Sequence, residues 1–209
     1  MRKLIDRLSN IPTIYYFVLL IAINVLFLTI AGLLYNGKFL FWEYPLSFLG
    51  MKYTFAEKAI NTYSMYFYGA SMFLSGITML ALALRNRIKH LKNDSLRSLL
   101  YLLAGSGLFI AAFSPNDTSH SFHVLGSALF ISIMWILATS KLHEIREQLG
   151  IARYWLMQSF LQIPIFIYAF AYFCSIDPLG SIMQIITLFS IGLTTILIHA
   201  ITKINKISD

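Results

Sequence analysis

Read along the chain, apolar residues come in long unbroken blocks and polar residues in short clusters between them. The blocks fall at about 11–35, 62–84, 98–113, 115–140, 154–174 and 181–201. A segment of about 20 apolar residues crosses a hydrocarbon core of about 30 Å, and all but the third block reach that length. The apolar positions are continuous and not alternating, which predicts helices: in lipid the backbone must close its own hydrogen bonds within each segment. The expected fold is all-α, a polytopic integral membrane protein whose single domain, 1–209, contains six transmembrane helices.

The breaks carry their own signals. Arg2, Lys3 and Arg7 alternate with Leu4, Ile5 and Leu8, predicting a short amphipathic lead at a membrane surface, and Pro12 suits a first helical turn. The connection 36–60 is the longest, and its centre, FLFWEYPLSFLGMKY, is too apolar to float in water. Trp42, Tyr44 and Tyr53 fit an interfacial aromatic belt, while Pro45 and Gly50 interrupt regular structure. In the second block Ser71 and Ser75 stand four apart with Gly69 and Gly76 beside them, a pattern that lets helices approach closely. The third block is rich in glycine, alanine and serine and is expected to be closely packed. Pro164 frees a carbonyl within the fifth. Asn24, Gln158, Gln162 and Gln184 lie inside blocks and could line a path, and bonds between helices are their expected role.

Composition sharpens this picture at two points. The chain is 58% hydrophobic and 12% charged, far from the roughly 25% charged residues of soluble domains. The net charge of +7 lies in the connections, so it reads as a topology signal and not as a nucleic-acid surface. The amino terminus, the second and fourth connections and the tail hold 13 of the 16 Lys and Arg; Lys38, Lys52 and Lys58 are the rest. Both termini are therefore expected in the cytoplasm. No Asp, Glu, Lys or Arg lies at the centre of a block, which counts against an ion-coupled transporter or channel. Cys174, the single cysteine, is expected to be a buried structural thiol.

The most informative polar stretch is SPNDTSHSFHVLG, 114–126. Ser114, Pro115 and Asp117 read as a helix start, with a serine cap, a proline at the first position and an acid at the third. On a helix beginning there, Asp117, His120 and His123 lie along one flank, and Gly126 clears space beside them. That flank suits an anionic headgroup, a proton relay or a divalent metal. The rise from Asp117 to His123 is about 9 Å, too far for all three to grip one ion, so a metal would need His120 and His123 with Glu43 or Asp177. No metal is assigned, and no cofactor is implied. His199, at the far end of the sixth block, is out of reach.

Two motifs resemble a known family. WEYPLSFLG, 42–50, is similar to a first-loop signature ending in Ser-x-Leu-Gly, and GLFIAAFSPNDTSHSFHVLGSALF, 107–130, is similar to a Pro-x-Asp … His-x-x-Gly-Ala pattern. Both belong to a bacterial and archaeal six-helix family designated domain of unknown function 998, itself distantly similar to the DRAM/Frag-type membrane proteins. Here Ser127 stands between Gly126 and Ala128, and Phe48 occupies a position that is often polar. The resemblance implies a multi-pass protein of a prokaryotic inner membrane and points to Ser47, Leu49, Gly50, Pro115, Asp117, His123 and Gly126.

The functional expectation is a non-enzymatic membrane protein with a small extracytoplasmic polar pocket formed by Glu43, Ser47, Asp117, His120 and His123. Ser114, Pro115, Gly50 and Gly126 shape it. Its ligand would be a lipid headgroup or a partner membrane protein, including a second copy. A metal-dependent lipid hydrolase and a small transporter or channel are the alternatives.

Overall fold

The computed structural model describes residues 11–89 and 95–208. The basic lead predicted at 1–10, and Lys92 in the second connection, lie outside the described residues. Among the described residues there are seven α-helices, one 3-10 turn and no strand. In chain order they are α1 (Thr13–Leu33), the 3-10 turn (Leu46–Gly50), α2 (Thr62–Lys89), α3 (Ser95–Phe113), α4 (His120–Glu144), α5 (Arg146–Leu149), α6 (Ile151–Phe173) and α7 (Leu179–Ser208). Six of them, all but the one-turn α5, are long and apolar enough to cross a membrane. Large apolar side chains such as Val25, Leu33, Phe122, Phe166 and Phe173 are exposed along them. That distribution belongs to helices whose outer solvent is lipid, because lipid provides the burial that water would not.

Helix ends depart from the hydrophobic blocks in a consistent way. α2 continues to Lys89 and α3 already begins at Ser95, so Arg85, Arg87 and Arg97 sit on helices and not in a loop. Basic side chains are good helix formers and carry their charge away from the apolar core on a long stem, so the helix outlasts its apolar stretch. Arg85 is buried and donates to Thr13 Oγ1 at 2.8 Å, joining α2 to the start of α1. Cys174, expected to be buried, is exposed, because it stands one residue past the end of α6 in the turn to α7.

The chain forms two compact units, with the boundary falling inside α4. Of the described residues, the first contains those up to Lys38 together with those from Ser47 to Ile133. Here Asn24 does what its position in the first block predicts: its Nδ2 donates to Ser75 Oγ at 2.8 Å, and Ser71 Oγ donates to its Oδ1 at 3.2 Å. α2 and α3 pass each other at Gly76 and Gly105, and α3 meets α4 at Gly107 and Gly126. A Cβ at Gly126 would lie 2.6 Å from the Gly107 carbonyl oxygen, so only glycine permits this approach.

The second unit contains Phe39–Leu46 and the chain from Met134 onward. Leu142, Ile145, Leu149 and Ile198 form its apolar centre, with Tyr154 and Met157 packed on it. Gln162 bonds across helices as expected, accepting from Trp135 Nε1 at 2.7 Å and donating to Thr139 Oγ1 at 3.1 Å. Gln184 Oε1 accepts from the Leu46 amide at 2.8 Å, and Ser181 Oγ donates to the Glu43 carbonyl at 3.0 Å.

Candidate functional site

The site is built where α3 stops and α4 has not yet begun. Proline at 115 has no N–H to donate and disfavours helical geometry in the residue before it, so α3 ends at Phe113. The Pro115 carbonyl then accepts from the amides of Thr118 at 3.3 Å and Ser119 at 2.8 Å, closing a tight turn. α4 begins at His120 and not near 115, with the His123 amide donating to the Ser119 carbonyl at 3.0 Å. Ser114, Pro115 and Asp117 are consequently a turn and not a capping box. The physical reason is competition for the Asp117 carboxylate. Its two oxygens accept from the backbone amides of Lys52 and Tyr53, each at 2.9 Å, and a carboxylate holding two N–H groups is unavailable as a helix cap.

Two more bonds join this turn to the rest of the unit. Asn116 Nδ2 donates to Ser47 Oγ at 3.4 Å, and the His120 ring nitrogen Nδ1 donates to Asn116 Oδ1 at 2.8 Å. His123 is 2% exposed. Its Nδ1–H donates to the Ser114 carbonyl at 2.7 Å, an assignment that follows because a carbonyl only accepts. That leaves Nε2 to accept from the Tyr68 hydroxyl at 3.4 Å, with the two rings 5.8 Å apart. Tyr68 packs in turn against Gly50, where a Cβ would lie 2.5 Å from the ring. Glycine at 50 is therefore a packing requirement of that ring.

The later part of the first connection, from Ser47 onward, is folded down onto the same place. Asn61, 1% exposed, donates to the carbonyls of Leu49 at 3.4 Å and Met51 at 3.1 Å, and Ser64 Oγ donates to Leu49 O at 3.0 Å. The Asn61 amide bonds the Lys52 carbonyl at 2.9 Å, and its Oδ1 accepts from the Asn36 amide at 3.3 Å. Thus one buried asparagine satisfies the ends of a connection that has no regular secondary structure beyond the 3-10 turn and a bridge between Tyr53 and Ile60.

Of the predicted residues, Ser47, Gly50, Ser114, Pro115, Asp117, His120, His123 and Gly126 all belong to the first unit, and bonds tie most of them into the junction between the first connection and the turn before α4. Glu43 belongs to the second unit. Asn116, Asn61, Ser64 and Tyr68 were not singled out by sequence, although Asn61 directly precedes α2, a position where asparagine commonly stands. Among the described residues no three of His, Cys, Asp and Glu stand together as a metal-binding set.

Beside the junction a slot of about 440 Å³ opens between α2 and α3. Gly69, Ala70 and Ala112 line it, the rings of Tyr66, Phe73 and Phe113 flank it, and Gly50 and Pro115 lie at its end nearest the junction. Phe73 and Phe113 touch edge to face with centroids 5.8 Å apart. Asp117, Asn116 and His123 are bonded within the junction, so they set its shape. Comparison of the chain with family models, with curated proteins and with solved structures finds no match.

Proposed function

We propose that this protein is a non-enzymatic integral membrane protein of a prokaryotic inner membrane, both termini cytoplasmic, that holds a lipid chain on its extracytoplasmic side. The observation that carries this reading is the slot between α2 and α3 beneath the folded first connection. It lies within two membrane spans, so the medium around it is lipid, and its apolar lining offers dispersion contacts without polar demands. A slot flanked by rings favours a slender chain over a second helix, whose diameter is about 10–12 Å. The ligand contact is therefore to an acyl chain, and Asp117 and His123 act by holding the first connection in place.

The orientation rests on the 13 basic residues of one set of connections. Membership of the six-helix family designated domain of unknown function 998 is part of the same proposal. It is supported by the six apolar helices and by the way both motifs fold together, Ser47 of the first on Asn116 of the second.

The test is native mass spectrometry of the full chain, extracted in mild detergent, with quantitation of retained lipid. The wild type should retain lipid that Ala70→Phe, which fills the slot, does not, while Leu197→Phe on the exposed face of α7 behaves as wild type. Equal retention by Ala70→Phe and wild type would sink the proposal. Loss of a dimer in place of a lipid would identify the slot as a contact between copies.

A further inference from the structure

A second cavity, of about 430 Å³, lies at the other end of the seam between α2 and α3. Its lining is divided in chemistry. Leu84, Leu99 and Leu102 make it apolar on one side, and Arg87, Ser95 and Ser98 supply the polar groups. Arg87 and Ser95 stand at the ends of their membrane spans, at the depth where a headgroup meets the hydrocarbon.

Three independent features of the polar part ask for the same thing. Ser98 is 7% exposed and its Oγ has no hydrogen-bond partner among the described residues, an uncommon state for a buried hydroxyl. Ser95 opens α3, a helix of 19 residues whose own first turn, as described, contains no acidic residue and whose dipole is positive at this end. Arg87 adds a full positive charge with a planar set of donors. A donor hydroxyl, a helix start and a guanidinium all favour an anionic oxygen, and the leucines beside them favour hydrocarbon.

We propose that this cavity binds an anionic phospholipid, its phosphate held by Arg87, Ser98 and the first turn of α3 and its acyl chain laid against Leu99 and Leu102. This site shares no residue with the slot proposed above, so either can fail alone.

The full chain is placed in nanodiscs of phosphatidylcholine, phosphatidylglycerol is titrated in, and the thermal midpoint is followed. A lipid that binds only the folded protein raises that midpoint with its concentration. Arg87→Gln should weaken the apparent affinity for phosphatidylglycerol about tenfold, the equivalent of one charge-assisted hydrogen bond. Ser98→Ala should raise the midpoint in pure phosphatidylcholine, because an unpartnered hydroxyl is gone, and yet reduce the response to phosphatidylglycerol; a purely structural serine gives the first effect without the second. Lys141→Gln, which removes one charge elsewhere, should respond as wild type. The proposal is overturned if Lys141→Gln weakens the response as much as Arg87→Gln, if phosphatidylcholine alone gives the full effect, or if inorganic phosphate reproduces it.

Discussion

Replacing Asp117 by alanine should release the first connection without unfolding the helices. The carboxylate accepts two backbone amides at 2.9 Å, those of Lys52 and Tyr53, and both bonds lie where water has access. Hydrogen bonds to a charged acceptor are worth about 1.5–3 kcal/mol each when protected, and solvent access brings the pair together to about 2 kcal/mol. Since 1.4 kcal/mol is a factor of ten, local opening at these two amides should become about thirtyfold more frequent. Asp117→Asn should separate the two, because its amide oxygen accepts one N–H while its own NH₂ faces the other. Hydrogen–deuterium exchange on the full chain in detergent, read at Lys52 and Tyr53, measures this directly. The expected result is fast exchange at both amides in Asp117→Ala and at one of them in Asp117→Asn, with α2 and α3 unchanged. Exchange in Asp117→Ala equal to that of the wild type would show that the carboxylate does not hold the connection.

Gly126→Ala places a Cβ 2.6 Å from the Gly107 carbonyl and 2.8 Å from the Ala111 amide, so α3 and α4 must separate. The expected cost is about 1–3 kcal/mol in an unfolding titration, against little change for Gly180→Ala, whose Cβ would meet nothing closer than 3.9 Å. His123→Ala should remove the ring nitrogen that accepts the 3.4 Å bond from Tyr68 and open space beside it, lowering the thermal midpoint more than Tyr68→Phe, which keeps the ring and removes the hydroxyl. Asn24→Leu breaks the bonds from α1 to Ser71 and Ser75; because bonds between membrane helices average about 0.6 kcal/mol, a loss well above 2 kcal/mol would mean that Asn24 does more than link two helices.

Particular residues show how far the chain could be read without coordinates. The six apolar blocks correspond to six helices because continuous apolarity over a membrane's thickness leaves the backbone few other solutions. Asn24 and Gln162 were legible for a related reason: a polar group surrounded by apolar neighbours must find a partner on another helix. The end of α2 was not legible, since hydropathy reports where lipid ends and not where helical hydrogen bonding ends. Nor was the role of Asp117. Its spacing from Ser114 and Pro115 suits a cap, and only the arrival of the Lys52 and Tyr53 amides from 65 and 64 residues away redirects it.

The medium, the number of spanning helices and the stretch where polar residues gather are written in the order of residues, because all three follow from solvation along one dimension. Tertiary structure decided what those polar residues do. It spent Asp117, His120 and His123 on bonds within the protein, recruited Asn61, Asn116 and Tyr68 to the same junction, and opened the slot and the Ser98 cavity along the α2–α3 seam. Those outcomes depend on which distant backbone groups and side chains meet, and periodicity does not encode such encounters.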